Sequence, residues 1–355
     1  MAPIPISILR ALSITDPAKA SLSTTGLGSG FTSTGAIRAT VPGPDGRDEE
    51  RRYFVKTSAD GTSAAEMFRG EYESLNAIAS SVPGFCPLAL AWGSLDDDDD
   101  DDDDAADNDS STSPPKKKSY YLLTEYLELG GSGRRTNDSS FTLAHRLAQL
   151  HSTPAPPDPE TRRRRFGFPV PTFCGDTKQP NRFCDDWAEF YADERLRTIL
   201  ESSERRNGRD GGLRELVERT AGTVVPRLLG RGHLGVGEGI VPVVVHGDLW
   251  SGNAGRGRIA GGLESDKAGD VVYDPSACYA HSEFELGIMR MFGGFGAKFF
   301  EEYHRLVPKT EPVEEYEDRV RLYELYHHLN HHAIFGAGYR SGAVSIMEKL
   351  LKKYG

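Results

Sequence analysis

The sequence lacks the long apolar runs of a membrane protein and contains few cysteines. Its 355 residues are 37% hydrophobic and 9% aromatic, which is enough for a sizeable core and excludes a wholly disordered chain. No segment approaches the roughly 20 consecutive apolar residues that cross a bilayer, so we expect no membrane span and no membrane partner. The first residues resemble neither a secretory signal nor an Arg- and Ser-rich transit peptide. The four cysteines form no C-x-x-C pair, which excludes a disulfide scaffold and favours a reduced, cytoplasmic protein.

The net charge of −11 originates almost entirely in one segment. Residues 96–104, 107 and 109 are aspartates and residues 116–118 are lysines, so residues 96–118 carry a charge of −8 and the rest of the chain −3. Because adjacent like charges repel and cannot bury apolar area, we predict a disordered acidic insert at 96–118. Strand-like segments at 88–92 and 120–124 flank this insert, which is typical of a lengthened hairpin connection. The small remaining charge gives no broad basic surface, and no nucleic-acid partner is expected.

Apolar periodicity divides the chain into a β-rich part and a helical part. Besides the strand-like segments that flank the acidic insert, two strands and one helix are predicted in the first hundred residues. Helices with two short apolar strands are predicted from about residue 140 onwards. The predicted strands are 36–41, 52–56, 240–245 and 271–273, and the predicted helices are 64–80, 141–151, 186–201, 213–229 and most of 283–354. This pattern indicates an α+β fold, with a small β-rich lobe at 1–127 and a larger helical lobe at 128–355.

The segment His-Gly-Asp-Leu-Trp-Ser-Gly-Asn at residues 246–253 carries the most informative chemical pattern. Asp248 and Asn253 have the spacing of the Asp and Asn in the kinase catalytic loop H-R-D-x-x-x-x-N. In such loops the Asp reaches the attacking hydroxyl, and the Asn turns back to hold Mg²⁺ on the nucleotide phosphates. Asp274 ends the next strand and would supply a second hard oxygen ligand for Mg²⁺. The alternative, that Asp248 and Asn253 only cap a turn, is disfavoured by the position of Asp274.

Weaker features of the N-terminal region fit the same chemistry. Lys56 ends an apolar strand and is followed by a helix that carries Glu71, as in the lysine–glutamate pair that kinases use to position the α- and β-phosphates of ATP. Glu66 and Glu73 on the same helix are competing partners, and an ordinary surface lysine is the simpler interpretation. A glycine-rich turn upstream would cover the phosphates with backbone N–H groups, although an ordinary hairpin turn has the same composition. Its glycines are Gly26, Gly28 and Gly30.

The segment 123–131 lies where the β pattern gives way to the helical one. In a kinase-like fold this position is the adenine hinge, and backbone groups of Glu125, Tyr126 and Leu127 would face the adenine edge. An ordinary linker between lobes has a similar composition, so the sequence leaves both interpretations open.

Taken together, these segments resemble the fructosamine-3-kinase family, also called ketosamine-3-kinases or protein-ribulosamine 3-kinases, which is related to the aminoglycoside phosphotransferases. The resemblance covers nearly the whole chain outside the aspartate insert. Trp250, after Gly-Asp-Leu, is the most discriminating residue because it separates this family from most antibiotic and choline kinases. The matching segments are 54–56, 67–75, 166–168, 185–187, 246–253, 273–277, 281–286, 292–295 and 335–341.

The resemblance implies a protein-kinase-like two-lobe fold and ATP-dependent phosphorylation of the sugar O3 of ketosamines, either on protein lysines or on small amines. The phosphorylated adduct decomposes and frees the amine, so these enzymes repair glycated proteins. We favour ribulosamines over fructosamines as substrates. The family roles assigned by resemblance are Asp248 as base, Asn253 and Asp274 as Mg²⁺ ligands, Lys56 with Glu71 as phosphate-positioning pair, Glu125 to Leu127 as hinge, and Trp250 as the ring that stacks on the sugar.

Two other functions remain open at this point. One is a small-molecule kinase of the aminoglycoside or choline kinase type, against which Trp250 argues. The other is a catalytically silent, kinase-like binding protein, against which the retention of Lys56, Asp248 and Asp274 argues. For Trp250 itself, packing in the core is the alternative to a sugar contact. The sequence does not determine the oligomeric state, and a monomer is favoured.

Two further residue groups have less favoured functional interpretations. Cys174 and Cys184 would form a disulfide if the fold brought them together. The histidines at 327, 328, 331 and 332 have a spacing that can bind Zn²⁺, but a packed helix is the favoured interpretation.

Overall fold

The computed structural model describes residues 3–27, 32–43, 47–95, 117–130, 142–236, 239–260 and 268–355. Within these residues the largest sheet has seven antiparallel strands in the order β1-β2-β3-β5-β9-β10, with β4 also paired to β5. Two smaller pairs, β6 with β7 and β8 with β11, lie in the helical part. The strands are β1 Ala20–Leu27, β2 Ser33–Pro42, β3 Asp48–Ser58, β4 Ala89–Ser94, β5 Tyr120–Leu129, β6 Thr172–Cys174, β7 Thr177–Gln179, β8 Val243–Val245, β9 Ala254–Ala260, β10 Gly269–Val272 and β11 Cys278–Ala280.

The helices follow the same division of the chain. Helices α1 and α2 belong to the β-rich part, and the others build the helical part around α10, which packs against α5, α8 and α11. A stretch of π-helix joins α4 to α5, and another joins α6 to α7. The helices are α1 Ile6–Ala11, α2 Thr62–Ser81, α3 Leu143–Ser152, α4 Trp187–Phe190, α5 Thr198–Asn207, α6 Gly211–Arg219, α7 Val225–Leu229, α8 Glu285–Phe292, α9 Ala297–Leu306, α10 Tyr316–Phe335 and α11 Arg340–Tyr354.

Helix α2 links the sheet to the helical part. Its buried face carries Phe68, Leu75 and Ile78, whose spacing matches the 3.6-residue period of a helix. Gly70 lets this helix approach the segment before β6 closely, because a Cβ there would lie 2.6 Å from the Pro171 carbonyl oxygen. The Ser74 hydroxyl, also on α2, accepts the backbone N–H of Ala277 at 3.1 Å. The helix therefore fixes the segment that follows β10 relative to the sheet.

Side-chain caps start several helices of the helical part. The Thr142 hydroxyl accepts the His145 N–H at the start of α3, and the Asp210 carboxylate accepts the Leu213 N–H at the start of α6. Such caps satisfy backbone donors that have no partner inside the helix. The core between the helices is rich in aromatic rings, and Trp187 donates its indole N–H to the Tyr323 hydroxyl at 2.8 Å.

The α+β fold predicted from the sequence is confirmed, as is the hairpin connection between β4 and β5 across the acidic insert. Residues 96–116 of that insert lie outside the described residues. The strand predicted at 240–245 is observed only as β8, Val243–Val245. It pairs with β11, a strand that the periodicity did not predict. The periodicity did not predict β9 either, which residues 254–260 form and which extends the main sheet. The predicted boundary between residues 127 and 128 falls within β5, and this division of the chain stays a prediction.

The structure also shows where the cysteines and the histidine run lie. All four cysteines are free thiols, so Cys174 and Cys184 form no disulfide. The histidine run lies in α10, where His327 and His332 are buried. Over the described ranges, no group of three or more His, Cys, Asp or Glu side chains could hold a metal ion. Among the same residues, no helix is long and apolar enough to cross a bilayer.

Candidate active site

The segment that carries Asp248 leaves the buried strand β8 through a sharp turn at Gly247. This glycine has a φ of +82°, and a Cβ there would lie 2.1 Å from the Ser276 carbonyl oxygen. Only glycine fits such a position, since side chains disfavour this conformation and the backbone contact leaves no space. The Ser276 N–H in turn donates to the His246 carbonyl at 2.9 Å. The turn therefore brings Asp248 next to the segment that follows Asp274.

His246 connects the two aspartate segments through both of its ring nitrogens. Its Nε2 donates to the Tyr273 carbonyl at 2.9 Å, and its Nδ1 accepts the Asp248 N–H at 3.3 Å. Burial lowers the pKa of His246, so the ring stays neutral, as this pattern of one donor and one acceptor requires.

Glu285, the first residue of α8, holds this turn in place through two backbone N–H groups. Its carboxylate accepts the Gly247 N–H at 3.0 Å and also the His246 N–H. The residue is 1% exposed, and the His151 Nε2 lies 3.7 Å from its Oε2. Burial raises the pKa of Glu285, but the neighbouring His151 and His246 and the hydrogen bond from the turn outweigh burial and hold the pKa below its ordinary value. The motif analysis did not single out Glu285, although it lies in the family-like segment 281–286.

Each oxygen of the Asp248 carboxylate has one hydrogen-bond donor. Asn253 donates its Nδ2 to the Asp248 carbonyl at 2.9 Å and to Oδ2 at 3.3 Å. The thiol of Cys174, at the end of β6, lies 3.6 Å from Oδ1. Burial raises the pKa of Asp248 to about 8, and the negative charge of Asp274 adds to this shift. A carboxylate with a pKa near neutrality is well suited to accept a proton.

Lys56 on β3 lies between two carboxylates. Its Nζ is 2.7 Å from Glu71 Oε1 and 2.6 Å from Asp274 Oδ1. Burial lowers the pKa of Lys56, but the charges of Glu71 and Asp274 outweigh burial and raise it above its ordinary value. Of the competing glutamates, Glu66 pairs with Lys178 at 2.8 Å. The structure therefore brings Lys56 to the predicted glutamate and also to Asp274.

Asn253 and Asp274 each carry a hard oxygen donor, and their segments are hydrogen-bonded neighbours. The Tyr273 N–H donates to the Asn253 carbonyl at 3.1 Å, which joins their two segments. Asp274 adopts a φ of +54°, a conformation uncommon for residues other than glycine, and its side chain is about half exposed. Because the amide nitrogen of Asn253 is used by Asp248, its amide oxygen is the atom left for a ligand. These oxygens fit the coordination chemistry of Mg²⁺.

The predicted hinge residues 125–127 are all described by the structure, whereas the predicted glycine-rich turn is described only in part. Glu125, Tyr126 and Leu127 lie in β5, and the last two pair with β9 rather than forming a linker. Glu125 is tied to the residue before β4, because its N–H donates to the Leu88 carbonyl at 2.9 Å and its carboxylate accepts the Leu88 N–H at 2.8 Å. Gly26 lies in β1, whereas Gly28 and Gly30 lie outside the described residues. A nucleotide role for these residues stays a prediction.

Trp250 lies two residues after Asp248 and is exposed to solvent. Its side chain is 40% exposed, so the alternative of core packing does not hold. The ring covers Gly252, where a Cβ would lie 2.1 Å from a ring atom, and it contacts Phe292 at a centroid distance of 5.9 Å. Phe292 also contacts His331 at 4.9 Å. Phe292 lies in the family-like segment 292–295 and His331 in the histidine run, although neither was assigned to the sugar site from the sequence. With Trp250 they form a row of contacting rings.

Comparisons with known proteins point to one family. The protein-family model described as fructosamine kinase matches residues 31–353 of this chain. A mouse protein named ketosamine-3-kinase is 38% identical over 190 residues, which are 53% of this chain and 54% of the mouse protein, so the match spans about half of that relative. A chloroplastic protein-ribulosamine 3-kinase of Oryza sativa subsp. japonica is 33% identical over 84% of this chain and 72% of the relative. A Synechocystis protein named as a probable ketoamine kinase is 32% identical over 86% of this chain and 85% of the relative.

Solved structures agree in fold. A Thermobifida fusca protein assigned to the fructosamine-3-kinases superimposes with a TM-score of 0.66 at 23% identity, covering 94% of this chain and 93% of that one. An aminoglycoside phosphotransferase superimposes with a TM-score of 0.51 at 12% identity, covering 98% of both chains. At such identities the likeness speaks for the fold alone, and it confirms the kinase-like two-lobe architecture predicted from the sequence.

Proposed function

The chain belongs to the fructosamine kinase family, and we propose that it is an ATP-dependent ketosamine 3-kinase. It phosphorylates O3 of ribulosamine or fructosamine adducts on protein lysines, and the phosphorylated adduct then decomposes and frees the amine. The observation that carries this proposal is the convergence of four predicted residues from three segments of the chain. Lys56 contacts Asp274, the Asp274 segment is bonded to Asn253, and Asn253 is bonded to Asp248.

The phosphate end of the site is built for charge neutralisation. Lys56, held by Glu71, binds the α- and β-phosphates of ATP, and the glycines Gly26, Gly28 and Gly30 cover them. The oxygens of Asn253 and Asp274 would hold Mg²⁺, which when bound neutralises negative charge on the phosphates. In phosphoryl transfer, positioning and electrostatic stabilisation supply most of the rate, so the rigid hydrogen bonds around these residues are the main contribution of the protein.

The acceptor end of the site consists of Asp248 and the aromatic surface next to it. Asp248 accepts the proton of the sugar hydroxyl as the phosphoryl group transfers. The exposed ring of Trp250, supported by Phe292, offers an apolar face to the C–H side of the sugar. A substrate bound there would place its hydroxyl against Asp248, because the two residues belong to the same turn. The mouse and rice relatives are named for ketosamine and ribulosamine substrates, which supports this acceptor class.

Turnover of ATP with defined acceptors tests the proposal. Ribulose-lysine, fructose-lysine and an aminoglycoside are offered side by side with Mg²⁺, and ADP release is measured. We expect turnover on a ketosamine, with ribulose-lysine preferred. Asp248→Asn should lower kcat by several orders of magnitude while nucleotide binding is nearly unchanged, because the substitution removes the base and not the phosphate contacts.

The matched control is Asp48→Asn, which makes the same chemical change at an exposed residue that pairs with Lys19. It should leave kcat within twofold. Turnover on the aminoglycoside alone would replace the ketosamine assignment by a small-molecule kinase. Bound ATP without turnover on any acceptor would contradict the enzymatic proposal and favour a binding protein.

A further inference from the structure

We propose that Cys174 is a positioning residue that orients the Asp248 carboxylate, and that Asn330 fixes the thiol in place. This inference rests on the proposed function, because it concerns the base of that reaction. Neither residue belongs to the motifs that identify the catalytic loop. Cys174 ends β6 and Asn330 lies in α10, so the contact comes from elements that do not hold the nucleotide side of the site.

The thiol is placed to donate to Asp248. Its sulfur lies 3.6 Å from Oδ1, within the range of an S–H···O hydrogen bond, and Cys174 is 1% exposed. Burial and the neighbouring Asp248 charge raise the pKa of the thiol well above its ordinary value, so the thiol keeps its proton. Beside the ionised form of Asp248, which is the form that acts as base, a neutral thiol can only be the donor of the pair.

Asn330 sets the direction of this donor. Its Nδ2 donates to the Cys174 sulfur at 3.3 Å and to the Cys174 carbonyl at 3.2 Å, and the residue is 1% exposed. With the sulfur accepting from Asn330, its own hydrogen is directed to Asp248. Because an isolated thiol is a weak donor, a second bond that polarises the sulfur strengthens the contact.

The two sides of the carboxylate are therefore fixed independently. Oδ1 accepts from Cys174 in the helical part, and Oδ2 accepts from Asn253 in the same turn. Each carboxylate oxygen has about two acceptor positions, so one stays open for the sugar hydroxyl. Removing the thiol frees one oxygen and allows the carboxylate plane to rotate. Since proton transfer by a positioned group contributes about 10²–10⁴-fold to the rate, partial loss of orientation should cost about tenfold.

Cys174→Ala and Cys174→Ser test this role with the full-length protein. Alanine removes the donor, whereas serine keeps a hydroxyl donor in a similar volume. We expect kcat on the best ketosamine to fall about tenfold in Cys174→Ala and to stay within about threefold of wild type in Cys174→Ser, with KM for ATP and sugar within twofold in both. Cys86→Ala is the matched control, because its thiol is equally buried and donates to the Leu75 carbonyl at 3.2 Å.

A double-mutant cycle separates orientation of Asp248 from general loss of structure. In the Asp248→Asn background, Cys174→Ala should change the residual rate by less than twofold, because the group it orients is already gone. The control Cys86→Ala should keep kcat within twofold in both backgrounds, whatever its effect on the thermal midpoint.

Each result bears on the inference. A wild-type kcat in Cys174→Ala, a serine variant as slow as the alanine variant, or an equal tenfold loss in the Asp248→Asn background would overturn it. If the wild-type protein turns over no ketosamine, the proposed function fails and this inference fails with it. Wild-type turnover with an unaffected Cys174→Ala overturns the inference alone.

Discussion

Replacing Glu285 by Gln perturbs the support of the catalytic turn with a minimal change in shape. In the native protein one buried carboxylate accepts two backbone N–H groups, from His246 and Gly247. Glutamine offers a single carbonyl oxygen, and its NH₂ group faces the second backbone donor. One buried N–H therefore loses its acceptor, and the remaining bond loses the assistance of a full negative charge.

The expected magnitude follows from these two losses. A buried donor left unsatisfied costs about 1–3 kcal/mol, and a hydrogen bond to a charged group contributes about 1.5–3 kcal/mol against about 1 kcal/mol for a neutral one. We therefore expect Glu285→Gln to lower the free energy of unfolding by about 2–4 kcal/mol. If the turn shifts by about 1 Å, the misplaced base should lower kcat by about 10²-fold.

Urea unfolding at pH 7 and ketosamine kinetics on the same preparation measure the two effects. Glu324→Gln is the control, since Glu324 pairs with His328 at 3.2 Å in a partly exposed position of α10 and should change stability by less than about 0.5 kcal/mol. A stability loss for Glu285→Gln that matches this control would refute the reasoning about the unsatisfied donor. A large stability loss with wild-type kcat would instead refute the role of Glu285 in positioning the turn.

Three further substitutions test buried ionisable side chains. Arg319 Nε donates to the Glu283 carboxylate at 2.8 Å, so Arg319→Met leaves this carboxylate buried without its cation. The free energy of unfolding, measured in urea, should fall by about 3–5 kcal/mol, and a fall below about 1 kcal/mol would contradict this prediction. Lys56→Met should raise KM for ATP at least tenfold, because the phosphate contact is gone, and unchanged steady-state kinetics would count against the pairing with Glu71. Burial lowers the pKa of His281 to about 4, below the unfolded value of about 6.5; its stabilising contribution is therefore complete above about pH 6.5 and lost as the pH falls toward 4. His281→Gln should flatten the acid limb of the stability curve measured by thermal unfolding, and an unchanged slope would exclude this histidine as its cause.

Local patterns predicted those parts of the fold that local forces determine. Helix α2, predicted at 64–80 and observed at Thr62–Ser81, has apolar residues at helical spacing, so one buried face is visible in the sequence. Strand β9 was missed because its sequence, Ala-Gly-Arg-Gly-Arg-Ile-Ala, shows little alternation and resembles a turn. It becomes a strand by pairing with β5, which lies more than a hundred residues earlier. Such pairing is a tertiary effect that strand propensity does not report.

The same limit applies to the site. Motif spacing identified Asp248 and Asn253 because the chemistry requires both on one turn. Glu285, Cys174 and Asn330 have no such spacing, since Glu285 and Cys174 reach the turn from different elements and Asn330 acts on it only through Cys174. A glutamate at a helix start is usually a solvated residue, and a single cysteine is usually a small apolar one. Only the folded chain shows that these side chains end at the catalytic turn.

The balance of charge explains why Asp248 is the perturbed group of the site. Lys56 offsets the charges of Glu71 and Asp274, to which it is bonded directly. The charge of Glu285 is spread over backbone N–H groups. Among the residues that the structure describes, the Asp248 side chain has a thiol and an amide as donors and forms no ion pair, so burial and the nearby Asp274 raise its pKa to about 8. Negative charge is thus disfavoured at Asp248, which binds a proton more readily than an ordinary carboxylate, and it remains on the exposed side of Asp274, where the proposed reaction would bring a cation.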